Sequence, residues 1–157
     1  MRTFLLAILL LCPGLAWAQP VTDPSKTLTI KPPPGWQSTT QDKTLLLVSA
    51  DQTASMALTA RGPIPLDNPV AMKGIVAELT STEWKLSGQS GTTVGGLPAV
   101  RIEVDGVGGD YANDHGVYYM VCKGERGWLI FCITSKANAR KAMPLMETAV
   151  RSVTLSK

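Results

Sequence analysis

The sequence predicts an α+β fold in which an antiparallel β-sheet is flanked by helices on both faces. Residues 116–135 contain two apolar runs, 117–122 and 128–134, and a polar, Gly-bounded segment separates them at 123–127. This pattern is typical of a β-hairpin. Neither run alternates with polar residues, so both faces of the hairpin must be covered. The hairpin therefore belongs in the middle of a sheet, and two helical patterns elsewhere in the chain supply the covering layers.

The first 18 residues have the pattern of a secretory signal peptide. Arg2 gives a positive start, residues 4–15 are almost entirely apolar, and residues 16–18 read A-W-A, a small-residue cleavage signal. The apolar stretch is shorter than the roughly 20 residues that span a bilayer. Cys12 raises the alternative of a lipoprotein, but Leu11 stands where a small residue is required. We therefore expect a periplasmic or secreted protein that is cleaved after residue 18.

The remaining chain suits one domain without a membrane anchor. Residues 19–25 are polar and contain Pro, which predicts a flexible lead-in, and residues 26–157 form a single domain. The whole chain has a formal net charge of +3, and removal of Arg2 with the signal leaves +2. Because the basic residues are scattered, no nucleic-acid partner is predicted. No other segment is apolar for long enough to cross a membrane.

The first half of the domain is predicted to begin with strands. Residues 27–31 alternate as a first strand that ends at three consecutive prolines, and Trp36 follows as an aromatic plug at one end of the core. Residues 44–50 and 54–61 form a second hairpin. Asn68 is then a good N-cap for a helix that begins with a proline.

That helix has one apolar stripe that is wide enough to cover a sheet face, formed by Met72, Ile75, Val76 and Leu79. The helix is expected to fade near residues 84–86, ahead of a turn at 88–91. Residues 99–105 alternate clearly, which predicts a strand at a sheet edge or on a solvated face. A final helix covers 137–153, where Pro144 either kinks it or opens a second short helix.

Two cysteines remain beyond the signal, Cys122 and Cys132, and an exporting compartment would permit a disulfide between them. If Lys123 faces Gly127 in the hairpin, Cys122 faces Trp128. Cys132 then lies about 13 Å further along the strand. A disulfide requires Cα atoms within about 7 Å. We therefore predict two buried free thiols.

Catalytic templates are absent from the sequence. His115 is the only histidine, and no G-x-S-x-G nucleophile motif accompanies it. Ser90 has Gly88 two positions before it, but Thr92 stands two positions after it where the motif needs glycine. The glycines between 106 and 109 match no phosphate-binding loop. No enzyme activity and no cofactor are predicted.

One loop, residues 105–115, concentrates groups that could bind a ligand. Its carboxylates and imidazole could hold a divalent cation, and the candidate residues are Asp110, Asp114 and His115. Their spacing does not match an EF-hand. The alternative is a solvated inter-strand loop, because Gly and Asp suit turns.

Three short motifs together resemble the PsbP-like/DcrB-like superfamily. They are Pro34-Gly35-Trp36 after a first strand, V-G-G-L-P-A at 94–99 leading into Arg101, and a late apolar hairpin followed by Ser135 and a final helix. The resemblance spans roughly residues 26–155. It implies a sheet between helices and a non-catalytic accessory or binding protein. The metal handling of the plant photosystem member maps only onto His115.

The leading functional hypothesis is an exported bacterial accessory protein of the cell envelope. Such a protein would bind another envelope protein or complex through a sheet edge or a loop surface. The alternative is a small-ligand or divalent-metal-binding periplasmic protein that uses the loop at 105–115.

Overall fold

The structure, a computed structural model, describes residues 19–80 and 83–156. The signal peptide predicted at 1–18, with Cys12, lies outside these residues. The strands of the described part are β1 (Val21–Thr22), β2 (Leu28–Ile30), β3 (Gln37–Gln41), β4 (Thr44–Val48), β5 (Ala54–Arg61), β6 (Trp84–Val94), β7 (Leu97–Gly106), β8 (Asp114–Lys123), β9 (Arg126–Ser135) and β10 (Thr154–Leu155). The helices are α1 (Pro69–Leu79) and α2 (Lys136–Arg151), with a 3₁₀ turn at Gly109–Tyr111.

Seven strands form one antiparallel sheet in the order β3-β4-β5-β9-β8-β7-β6. The chain builds it from two meanders, β3–β5 and β6–β9, which meet where β5 pairs with β9. The central position of β9 confirms the prediction that the 117–134 hairpin lies inside a sheet. Because this hairpin has neighbours on both sides, its long apolar runs bury their backbone hydrogen bonds as well as their side chains.

The first face of the sheet carries the main core. Val117, Tyr119 and Val121 of β8 lie on this face together with Trp128 and Ile130 of β9, and all are buried. Helix α2 packs against them through five buried residues, namely Ala142, Met143, Met146, Ala149 and Val150. Pro144 lies on the exposed side of α2 without ending the helix. One continuous amphipathic helix therefore covers this face.

The second face carries a smaller cluster. Ile102 and Val104 of β7 and Met120 of β8 are buried there, with Met72 of α1 and Trp84 of β6. Asn68 caps α1 as predicted, since its Oδ1 accepts from the N–H groups of residues 70 and 71 at 3.1 Å. The described fold is thus a mostly antiparallel α+β structure with two helices. Helical cover of both faces stays a prediction.

A second, three-stranded sheet, β1-β2-β10, was not predicted. The first strand was expected at 27–31, and it exists as Leu28–Ile30, but it pairs with β1 and β10 rather than with the main sheet. Asp23 is only 2% exposed, and its carboxylate accepts hydrogen bonds from three backbone N–H groups, those of residues 25, 27 and 28. The structure therefore differs from the flexible lead-in expected at 19–25.

The segment 84–91 was predicted wrongly. It was expected to end a helix and form a turn, whereas it belongs to β6, an eleven-residue strand. Buried Trp84 and Val94 fix its two ends, and it pairs with β7 along its whole length apart from a bulge between Leu86 and Gly88. Cross-strand pairing outweighs the weak strand propensity of its glycines. As a result, the strand predicted at 99–105 lies one position inside the edge.

Cys122 and Cys132, the two cysteines in the part of the chain that the structure describes, are both free, as predicted. The turn is tighter than expected, because Lys123 pairs with Arg126, which places Cys122 opposite Gly127 and Cys132 opposite Val117. Cys132 is fully buried, but Cys122 is only half-buried, which corrects the prediction of two buried thiols. Cys132 shares a face with its partner Val117, and Cys122 lies five residues from Val117 on the same strand. Because side chains alternate along a strand, the two sulfurs lie on opposite faces of the hairpin.

Candidate functional site

The predicted ligand loop is organised by a carboxylate–imidazole pair. Asp105 of β7 and His115 of β8 lie directly opposite each other, and Oδ1 of the first is 2.8 Å from Nδ1 of the second. The His115 side chain is 19% exposed and that of Asp105 is 38% exposed. The hydrogen bond to His115 lowers the pKa of Asp105, and it outweighs the opposing effect of partial burial. Strand register creates this pair, which sequence spacing alone did not show.

The loop between these two residues folds back onto the end of β7. The Nζ atom of Lys136 donates to the carbonyl oxygens of Gly106 and Ala112, each at 2.8 Å. A Cβ atom at position 106 would overlap the Tyr111 backbone, so only glycine fits there. The first residue of α2 therefore ties the loop to the sheet.

The three predicted site residues occupy different positions along this segment. Asp110 is exposed in the 3₁₀ turn, Asp114 lies opposite Ser135 at the start of β8, and His115 pairs with Asp105. Within residues 19–80 and 83–156, no group of three or more His, Cys, Asp or Glu side chains is placed to hold a metal ion. Sequence analysis missed Asp105 as the nearest partner of the imidazole.

A second charged cluster joins α2 to the first face. The guanidinium of Arg101 in β7 donates to Glu103 in the same strand and to Oε1 of Glu147 in α2, the latter at 3.0 Å. Its Nε lies 3.4 Å from the Tyr119 hydroxyl. Burial raises the pKa of Tyr119 to about 12, so the phenol stays neutral. This arrangement orients the helix on the sheet and satisfies every charge within it.

Helix α1 is covered less completely than α2. Its sequence, PVAMKGIVAEL, has only two charged residues, yet Met72 is its only buried residue. Val70 is 80% exposed. Ile75, Val76 and Leu79 pack against the second-face cluster, and each keeps part of its surface exposed.

An open cleft of about 570 Å³ lies beside α1. Ile75 and Leu79 form the helix side of the cleft, Met120 and Leu129 of the sheet form its floor, and Ile64 lies on the loop that crosses the hairpin end. The charged side chains of Arg61 and Glu78 also line it. The cleft has the size of a ligand or side-chain site, and its walls combine apolar and polar groups.

The second face continues beyond the cleft as a half-buried sheet surface. Phe131 stacks on Tyr118 with ring centres 4.1 Å apart, and Ile133 lies beside it on β9. Leu46 of β4 and Ala57 of β5 continue this surface toward the sheet edge, and both are half-buried. We call α1, the cleft and this sheet surface together the second-face surface. The low charge of α1 was the sequence signal that could have indicated it.

The long antiparallel sheet with one helix seated on its first face, together with the short strands that join the chain ends, is the PsbP-like fold. A solution structure of cyanobacterial PsbP from Synechocystis sp. PCC 6803 aligns with a TM-score of 0.68, at 13% identity, over 92% of this chain and 97% of that one. LpqN, described as involved in cell envelope biogenesis of Mycobacterium tuberculosis, aligns with a TM-score of 0.63, at 14% identity, over 88% of this chain and 90% of that one.

A protein from Bacteroides thetaiotaomicron aligns with a TM-score of 0.65 at 10% identity, over 90% of this chain but only 49% of the other chain. No protein-family model matches the sequence, and no curated protein matches it significantly. These likenesses confirm the fold that the sequence motifs indicated. No helix within residues 19–80 and 83–156 is long and apolar enough to cross a membrane.

Proposed function

We propose that the protein is an exported, non-catalytic accessory protein of the cell envelope that binds another protein through the second-face surface. The observation that carries this proposal is the incomplete cover of α1, whose Val70 is 80% exposed, beside an open cleft that has apolar side chains in its walls. Contiguous apolar surface of this kind marks interaction sites in folded proteins. The description of LpqN as an envelope-biogenesis protein supports an envelope role.

The architecture suggests how a partner would complete the fold. A sheet needs a covering layer on each apolar face. On the first face α2 supplies five buried residues, whereas on the second face α1 supplies one. The second helical layer predicted from the sequence would then be completed only in the complex, with an apolar element of the partner lying beside α1.

The test compares two surface substitutions that are matched in chemistry. Val70→Glu places a charge on exposed α1, and Leu145→Glu places the same charge on the exposed side of α2, where Leu145 is 44% exposed. Because neither side chain is buried, we expect both variants to keep the wild-type Tm within a few degrees.

The readout is quantitative affinity capture from envelope extract. A specific partner should be captured by the wild type and by Leu145→Glu, and be reduced about tenfold or more by Val70→Glu, as a charge in an apolar contact would require. Equal capture by the two variants would refute binding through α1, which this proposal requires.

The alternative function is divalent-metal or small-ligand binding by the loop at 105–115, through Asp110, Asp114 and His115. It is favoured by the pair described above, because a metal-binding histidine usually donates its other ring N–H to a carboxylate. Elemental analysis and thermal shift with Ca²⁺, Mn²⁺ and Zn²⁺ test it. A shift that Asp114→Asn abolishes and Asp67→Asn retains would support metal binding, and no shift with any ion would remove it.

A further inference from the structure

The edge strand β3 is open to another strand. All five of its residues, Q-S-T-T-Q at 37–41, are exposed. The strand contains no charged residue, no proline and no bulge, which are the features that usually protect a sheet edge. The opposite edge, β6, differs because it carries Lys85 and a bulge between Leu86 and Gly88. Of the two edges of the seven-stranded sheet, β3 is therefore the unprotected one.

The hairpin turn decides which backbone groups of β3 are available. Gln41 and Thr44 close a two-residue turn, so their N–H and C=O groups point toward each other. Alternation along the strand then directs the backbone groups of Thr39 toward β4 and those of Ser38 and Thr40 away from it. Ser38 and Thr40 thus present free backbone N–H and C=O groups at the open edge of the sheet.

We propose that β3 pairs with β3 of a second copy of this chain, antiparallel about a twofold axis through Thr39. Ser38 of one copy then lies opposite Thr40 of the other, and the two such pairs form four backbone hydrogen bonds. Thr39 faces its own symmetry mate, and Gln37 faces Gln41. The strand is self-complementary, because every free backbone group finds a partner and no like charges meet.

The small extent of the contact sets its strength. A pairing of five residues falls at the low end of interface sizes, so we expect a reversible dimer that forms only at high protein concentration. In the dimer, the two seven-stranded sheets become one continuous sheet. This contact uses β3 and not α1, so it does not depend on the proposed partner site.

Sedimentation velocity over about 10 µM to 1 mM tests the dimer, since weak interfaces populate in this range. Thr40→Pro removes an outward N–H that β4 does not use, and proline is tolerated at such edge positions. Thr93→Pro is the matched control, because Thr93 is exposed and its N–H points away from β7 on the other edge.

We expect the wild type and Thr93→Pro to dimerise alike and Thr40→Pro to weaken the dimer about tenfold or more, since two of four hydrogen bonds are lost. A wild type that stays monomeric throughout would overturn the proposal. So would a dimer that Thr40→Pro leaves unchanged.

Cross-linking tests the register. Residues facing each other in a non-hydrogen-bonded antiparallel pair have Cα atoms about 4.5 Å apart, within disulfide range. With diamide as the oxidant, Thr39→Cys should form a disulfide-linked dimer. Ser38→Cys should not, because Ser38 faces Thr40. Efficient cross-linking of both variants, or of neither, would contradict the twofold axis at Thr39.

Discussion

Met72 is the most deeply buried side chain of α1, and removing it gives the sharpest test of how α1 is attached to the second face. Met72 is 5% exposed, and the other apolar residues of the helix all keep part of their surface exposed. Truncation of a buried Met to Ala costs about 2–5 kcal/mol. Because Met72 belongs to the smaller cluster, whose α1 neighbours are only partly buried and can relax, we expect Met72→Ala to lie near the low end, at about 2–3 kcal/mol.

The cost should appear as local opening of α1 rather than as global unfolding. Hydrogen exchange with mass spectrometry reads this directly, since the amides from residue 72 to residue 80 are bonded within the helix. An opening free energy lowered by about 2–3 kcal/mol accelerates their exchange about 30- to 150-fold. The amides of β8 and β9 should keep the wild-type rate.

The control is Met146→Ala, which removes a fully buried side chain of α2 from the main core. It should lower the global Tm and accelerate exchange in the sheet as well as in the helix, because the main core unfolds as one unit. Our reasoning would be refuted if Met72→Ala accelerated exchange in β9 as much as in α1, or left α1 unchanged.

Three further changes have defined outcomes. Asp23→Ala leaves three buried or half-buried N–H groups without their acceptor, and should lower the free energy of unfolding in urea by about 2–3 kcal/mol. The hydrogen bond to His115 lowers the pKa of Asp105 from 3.8 in the folded state. The ionised Asp105 therefore stabilises the fold above that pH, and this stabilisation is lost as the pH falls through the lower folded pKa. Asp105→Asn should reduce the fall of Tm with decreasing pH. Burial raises the pKa of the Cys132 thiol, so Ellman's reagent should label Cys122 in the native protein and both thiols in urea.

Each of these has a contrary result. A free energy of unfolding within about 0.5 kcal/mol of wild type for Asp23→Ala, the range of ordinary surface changes, would mean that the lead-in is not anchored. Unchanged acid sensitivity in Asp105→Asn would show that other carboxylates govern it. Equal labelling rates for the two native thiols would contradict the burial of Cys132. Asp110→Ala, at an exposed position, serves as the control for the stability measurements.

The elements that sequence analysis predicted correctly are those with strong local signals. The 117–134 hairpin has two long apolar runs and a Gly-bounded turn, and Asn68 followed by Pro69 marks the start of α1. The elements that it missed lack such signals. β3 is wholly polar, and β6 contains glycines that favour a turn, so both exist as strands because neighbouring strands pair with them.

The candidate site divides in the same way. His115 was identified because it is the only histidine, but Asp105 became its partner through the register of β7 and β8. The periodicity of α1 predicted an amphipathic helix. Only the tertiary structure shows that Met72 is the one buried residue of α1 and that Val70 stays exposed.

Composition and local pattern therefore determined which segments must be buried and what kind of domain results. Hydrophobic runs, caps and turn residues act over a few neighbouring residues, and they operate in any context. Tertiary structure decided which strands lie at the edges, which residues face each other and which apolar surface stays open. These properties depend on contacts between residues far apart in the chain, and no short stretch of sequence contains both partners.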